Sequence, residues 1–549
     1  MVRITKDKSL FITADKRSAD KYRKELANAV HSEFGTAVYK EKNKVTEILK
    51  FAYDWAANKF IETVHAHKSV KFVYYLLANH ESSIRLYLRG LSEDLLKSEG
   101  IDENLLALNR RILKLALEQT CDVDYSFNDG LPNPLPLSVV RDYSEAVEDL
   151  LYLGDRLFAF SEHLAEQRMM EEGIEIDLSQ EELIIQRQHH YDAIYPMMDN
   201  LFKEGFRTGI MNDNIVKELR GQIKKCMGID YDFAGQQMFE IKAHHNPKEP
   251  AFQTIQPHIL VENLVQVLKV DEQEAKRFYD GLTLSRGNKL AIKDSIYFSG
   301  SMRRHMFRPI LILNVDGEPR ALVGESKWRE SLTVMATNGF QWQQAPEEWK
   351  LNPCFNAYLD LKSNEHDRLL EDEAMVILDR KKLYYEHHVT KLDPLKGPSV
   401  SVDHKDCGEM DFIIIDLAAK KIMVTDSKYH RAKYEMVGFS GDFTNFRKEY
   451  EPKMDKKIKY IRANIQLVKE NFQKHHGLPD IDLSEYTVEG LFIINTPTFY
   501  ALNGKYPAVT INLLEEFISL EYVYPTAEVK NYPQKGETKI ISHPYFTIQ

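Results

Sequence analysis

At 549 residues the chain is too long for one hydrophobic core, so about two to four domains are expected. Its net charge of −11 excludes a uniformly basic nucleic-acid binder, so any such contact has to come from a local basic surface. A hydrophobic content of 43% is ordinary for a folded protein.

The four cysteines, Cys121, Cys226, Cys354 and Cys407, are far apart and form no CxxC pair. That spacing makes zinc-ribbon and disulfide-framework readings weak, and a reducing compartment is expected. The N-terminal stretch has no apolar h-region, and no apolar run approaches the roughly 18 residues a membrane helix needs. The expectation is a cytoplasmic protein without a membrane span.

Residues 1–240 read as mostly helical, with apolar residues at helical spacing in 47–66, 82–96, 103–117, 143–164 and 181–206. The loop 128–136 (NDGLPNPLP) is the clearest break in this half. A mixed α/β connecting region follows over 241–362. It holds two helices between 255 and 290, the second started by the acidic run Asp271–Glu274. It also holds a hairpin over 307–323 turning at Asp316-Gly317.

From 363 the order is a helix (363–382, with Ser363 or Asn364 as cap), a strand (383–390) and a Pro/Gly-bearing loop (391–407). Two apolar strands joined by a tight turn follow within 408–429, then a charged helical stretch over 442–475 with Pro452 as a bend point. A strand (488–495), a short strand (506–511) and a helix (512–520) complete it. The predicted fold is therefore an α-helical N-terminal region plus a C-terminal α/β domain, residues 363–549, built on a mixed sheet flanked by helices.

The stretch GEMDFIIIDLAAKKIMVTDSKY, 408–429, carries the chemistry. Asp411 opens its first strand, while Asp426 and Lys428 close the second and project to one side. Unpaired charge in an apolar place costs several kcal/mol by order of magnitude, so three such groups at the end of a buried hairpin need a reason. Metal-dependent phosphodiester hydrolysis supplies one. Asp411, Asp426 and the Ser427 backbone carbonyl are hard oxygen ligands for Mg²⁺, and Lys428 would orient water or stabilise phosphate charge. On the preceding helix Glu373 shares a face with Leu370 and Ile377 and is the first choice of helix acid, with Glu371 the second.

Gly408-Glu409-x-Asp411, a hairpin, then Asp426-x-Lys428, in a helix–three strands–helix–strand order, resembles the PD-(D/E)XK nuclease superfamily over about residues 363–500. The resemblance implies a restriction-endonuclease-like fold and a Mg²⁺-dependent nuclease, Mn²⁺ substituting. Asp411 and Asp426 would be its metal acids, Lys428 its catalytic lysine and Glu373 its first-helix glutamate. The second acid is Asp, not the commoner Glu, and Met410 stands where the family often has Pro. Such a domain on a long chain is similar to a restriction or anti-phage defence effector acting on DNA, alone, as a homo-oligomer or with a partner protein. A second hypothesis, from another class, is a catalytically silent nuclease-fold scaffold in a nucleic-acid-processing complex.

Other features have plainer readings. Glu325-Ser326-Lys327 also follows an apolar hairpin, but its upstream Asp316 sits in the turn, at the wrong end. In the helix from Asp442, Arg447, Lys453 and Lys457 are candidate phosphate contacts, and Arg303-Arg304-His305 with Arg308 is a second basic patch. Four pairs, His189-His190, His244-His245, His387-His388 and His475-His476, read as surface or packing residues, because adjacent side chains diverge. His387 and His388 lie on the strand beside the site, where one can reach a phosphate.

Overall fold

The computed structural model describes all residues except 1, 6–8, 91–94, 128–134, 170–173, 181, 188–212, 246–253, 432, 434, 523–525, 531–537 and 543–549. The chain is mixed α/β and divides into two compact units. One comprises 1–164, 176–185 and 209–363, the other 165–175, 186–208 and 364–549. Both N-terminal divisions expected from sequence, 1–240 and 241–362, thus fall largely in the first unit. No helix among the described residues is long and apolar enough to cross a membrane.

The first unit is mainly helical. Helices Lys42–His65, Val70–Gly90, Glu103–Thr120 and Leu137–Met169 account for most of four of the periodic stretches read from sequence, 82–96 being covered only to residue 90, with 91–94 outside the described residues. Asp271 caps helix Glu272–Leu282, accepting hydrogen bonds from the backbone N–H of Gln273 and Glu274. The hairpin Ile310–Val315/Glu318–Leu322 turns at Asp316 and Gly317, both at positive φ (51° and 83°), as a two-residue primed turn requires. Trp328, Trp349, Phe278, Tyr231 and Phe355 build an aromatic core behind it. The expected helix 181–206 is corrected where it can be seen: Ile184–Arg187 is a strand, and 188–206 lies outside the described residues. Most of the 128–136 loop, His189-His190 and the side chains of His244-His245 also lie outside them.

The expected basic patch around 303–308 is largely core. Arg304, His305 and Arg308 are buried, Arg304 on Glu118 at 2.7 Å and Arg308 on Glu348 through both terminal nitrogens, at 3.0 and 2.7 Å. Alternation of charge with apolar contact hid this, since cations buried with partners look like surface cations in a sequence. Glu325–Asn338 is a helix, so the competing Glu325-Ser326-Lys327 motif is not at a strand end at all. Lys327 is buried against Glu330 (2.8 Å) and the Met306 carbonyl (2.9 Å). Cys226 and Cys354 form a disulfide, against the expectation of a reducing compartment. Their sequence separation of 128 residues conceals a Cα–Cα distance of 5.4 Å.

The second unit contains the five-stranded mixed sheet. Helix α1 (Pro353–Arg380) enters it, the unit boundary falling between Ser363 and Asn364. The helix starts ten residues before the predicted cap, because Phe355, Tyr358 and Leu359 carry the apolar spacing back into the first unit's core. Strands β1 (Tyr384–Val389), β2 (Met410–Asp416) and β3 (Lys421–Lys428) run antiparallel in order. The chain then crosses over through helices α2 (Met436–Asn445), α3 (Glu451–Ala463) and α4 (Ile465–His476) to β4 (Thr487–Ile494), which joins β3 in parallel. β5 (Ala508–Thr510) joins β4, also in parallel. The bent helix expected over 442–475 runs without a break from α2 through a π-helical turn at Phe446–Tyr450, just before Pro452, into α3, and Asn464 then separates α3 from α4.

Both faces of β2 and β3 are covered, hence their continuous apolar runs. Phe412, Ile414 and Met423 pack on Leu370, Ala374 and Leu378 of α1. Ile413, Ile415, Ile422 and Val424 face Met454, Ile458 and Ile461 of α3. Gly490 of β4 lets α3 approach: a Cβ there would lie 2.7 Å from Met454 Cγ and 2.9 Å from Ile458 Cδ1.

Candidate active site

The register of the hairpin builds the site. Phe412 pairs with Thr425, so Asp411 and Asp426, one position further along, come opposite each other and point to the same face. Period-two alternation puts Ile413, Val424 and Lys428 on that face too, the one covered by α3. The sheet thus gathers Asp411, Asp426 and Lys428 at one end of β2–β3, as expected from sequence.

Each acid is engaged. Asp411 Oδ2 accepts the backbone N–H of Ser427 at 2.5 Å. Burial, and then the charge of Asp426, push the Asp411 carboxyl up to about 6. Asp426 is buried. Its Oδ2 lies 3.4 Å from Lys428 Nζ, and its Oδ1 accepts from Lys457 Nζ at 2.5 Å. Lys428 also donates to the Ser427 carbonyl at 3.3 Å and stands over the Tyr450 ring at 5.2 Å.

α1 packs on the sheet face opposite to Asp411 and Asp426, and of its two candidate acids, Glu373 and Glu371, Glu371 is the one whose charge acts on Asp411. Glu371 Oε2 lies 2.9 Å from His387 Nε2, and the His387 ring rests on Phe412 at 4.9 Å. At about 100° per residue the two glutamates flank the buried stripe Leu370, Ala374, Ile377 and Leu378 on opposite sides, nearly equally far from its centre. Periodicity gives that distance, but the side that meets the strand end is set by how the helix lies on the sheet. Glu409 is held by His388 at 2.8 Å, and His388, opposite Asp411 in register, adopts φ 57°.

The three candidate phosphate-binding cations part ways. Lys453 is exposed and paired with Glu449 at 2.9 Å. Arg447 is half-buried, 3.7 Å from Glu451 and over the Phe443 ring at 5.2 Å. Lys457 is 6% exposed and belongs to the site itself, not to a nucleic-acid-facing surface. The signal was present in the sequence: position 457 falls within the stripe Met454, Ile458 and Ile461, and a lysine inside an apolar stripe needs a buried partner.

Two carboxylates facing across adjacent strands, with a carbonyl beside them, match the hard-oxygen preference of Mg²⁺, an ion that retains several waters and needs only one or two acids. The Asp411 carboxyl is raised by burial first and then by the charge of Asp426, and a cation between the two would relieve the second. Among the described residues no three His, Cys, Asp or Glu side chains converge as a metal cluster, so the fit rests on the two aspartates and the Ser427 carbonyl. No protein-family model, no curated protein and no solved structure matches this chain.

Proposed function

We propose that the second unit is a restriction-endonuclease-like domain of the PD-(D/E)XK type that hydrolyses phosphodiester bonds of nucleic acid, DNA being the expected substrate. The observation that supports this best is the cross-strand pairing of Asp411 with Asp426 at the end of a buried hairpin, with Lys428 on the same face. Asp411, Asp426 and the Ser427 carbonyl would hold Mg²⁺, with Mn²⁺ able to substitute. When bound, such an ion neutralises phosphate charge and makes water more acidic. Lys428 positions the attacking water or stabilises the developing phosphate charge, and the Glu371–His387 pair takes the place first given to Glu373. Lys453 remains a candidate backbone contact. The role is that of a restriction or anti-phage defence effector in the cytoplasm, as a homo-oligomer or with a partner protein. The Cys226–Cys354 bond is the observation that weighs against a reducing compartment.

A second reading, a silent nuclease-fold scaffold, is favoured by one observation: both oxygens of Asp426 already face lysines. A cleavage assay on plasmid, single-stranded DNA and RNA with Mg²⁺ or Mn²⁺ separates the two. Divalent-dependent cleavage, lost in Asp426→Asn and Lys428→Met proteins that retain their fold, supports the nuclease. Cleavage that survives both changes removes the assigned site.

A further inference from the structure

Lys457 reaches the site from a different element than the other three groups. α3 packs over β3 and β4, and Lys457 sits on its buried side between Met454 and Ile458. A buried ammonium is costly unless paired, and here the pairing is to Asp426 Oδ1 at 2.5 Å. Asp426 Oδ2 faces Lys428 at 3.4 Å, and Asp411 Oδ2 accepts from the Ser427 N–H at 2.5 Å. Three of the four carboxylate oxygens of the two acids are therefore engaged, and two ammonium groups stand against two carboxylates. With Lys428 and Lys457 in place the site attracts a divalent cation less than the same carboxylates would alone. An incoming phosphodiester adds the missing negative charge.

We propose that Lys457 is a built-in counter-cation of this site. It holds Asp426 Oδ1 while nucleic acid is absent and yields that oxygen when a phosphodiester enters, so that divalent-cation loading depends on bound nucleic acid. The inference rests on the nuclease reading above. Lys457 acts through Asp426 as a positioning residue, and its four rotatable side-chain bonds let the ammonium turn from the carboxylate to the incoming phosphate. The arrangement also disfavours metal loading, and so adventitious hydrolysis, in the empty protein.

The test is Mn²⁺ binding by electron paramagnetic resonance on the full chain, alone and with a non-cleavable phosphorothioate duplex, each compared with Asp426→Asn under the same conditions. In the wild type the duplex tightens Mn²⁺ binding roughly tenfold or more. Lys457→Met binds Mn²⁺ without duplex roughly tenfold more tightly than wild type, and most of the duplex dependence disappears. If Lys457→Met does not fold, as judged by circular dichroism, Lys457→Gln carries the same expectation, because it removes the charge but keeps a donor for Asp426. Mn²⁺ binding that Asp426→Asn abolishes, but that neither Lys457 variant tightens, overturns the inference and leaves the nuclease reading standing. Mn²⁺ binding that is absent in all forms, or indifferent to Asp426→Asn, overturns both.

Discussion

Glu371 Oε2 and His387 Nε2 meet at 2.9 Å, joining α1 to β1 beside the strand that carries Asp411. Glu371 contributes charge at Asp411, so it has a route to the chemistry. With Mg²⁺ and DNA, Glu371→Gln is expected to lower kcat by about tenfold or more, as loss of an oriented polar group in an active site does. Glu373→Gln should stay within about threefold of wild type. Single-turnover kinetics on the two variants decide between the acids, and the reverse order would restore Glu373.

Stability of the first unit should fall in mild acid. His80 and His305 are buried, and burial holds both well below the usual histidine range, so the folded state keeps them neutral while the unfolded chain takes up protons. The unfolded state then binds more protons, and stability is lost as pH drops below about 6.5, at up to about 1.4 kcal/mol per pH unit for each histidine. Burial also lowers Lys114 to about 7, with the same sign between that value and the ordinary lysine range. Glu81, raised by burial, opposes the trend nearer the carboxylate range. All four tryptophans, Trp55, Trp328, Trp342 and Trp349, lie in this unit, so their emission during urea unfolding reports it selectively. The midpoint should drop between pH 7.5 and 5.5 by these linkage terms, and less steeply in His80→Gln.

Arg308 is a structural cation, not a nucleic-acid contact. Besides Glu348 it donates to the backbone carbonyls of Met302, Asp280 and Thr283. Arg308→Ala removes one donor from each of these carbonyls, although Asp280 O keeps the Thr283 N–H and Thr283 O keeps Asn288 Nδ2, and leaves Glu348 without its cation, which should cost about 3 kcal/mol or more by the same unfolding assay. Lys453→Ala, which removes an exposed i,i+4 partner of Glu449, should change stability by less than about 1 kcal/mol. Its effect should show instead as a shallower salt dependence of DNA binding.

The cysteines can be sorted chemically. Non-reducing peptide mapping should recover Cys226 joined to Cys354. Cys121 and Cys407 are buried, and burial raises their thiols to about 12 and about 11, so both should resist alkylation until the chain unfolds. Reduction should lower stability by about 2–4 kcal/mol. Free alkylation of Cys226 in the native protein would show that the bond does not form.

Local chemistry made some elements legible and left others hidden. The 408–429 hairpin could be read because charges gathered at one end of two apolar runs are too costly to bury without a use. Asp316-Gly317 could be read because few residue pairs suit the dihedrals of its turn. Asp271 announced its helix by the same logic. Tertiary placement was not legible. Nothing local says that α1 continues back to Pro353, since Ser363 and Asn364 make a credible cap while Phe355 and Leu359 find their core elsewhere. Nor does periodicity say which flank of α1 meets β2, and so it cannot separate Glu373 from Glu371. Lys457 and Lys453 lie four residues apart on one charged helix, and only the packing of α3 separates a buried ion pair from a solvated one.

Gly490 carries no charge and touches no phosphate, yet the contact between Lys457 and Asp426 depends on it. Its missing side chain is what allows Met454 and Ile458, the residues on either side of Lys457 along the buried stripe, to settle on β4. A methyl group there would press on the Met454 and Ile458 side chains and on the Tyr506 ring, and any shift of α3 that relieved it would move the Lys457 ammonium off the same oxygen. The tuning of the site is thus written partly in a hydrogen atom: an alanine at 490 would detune it without altering one ionisable group.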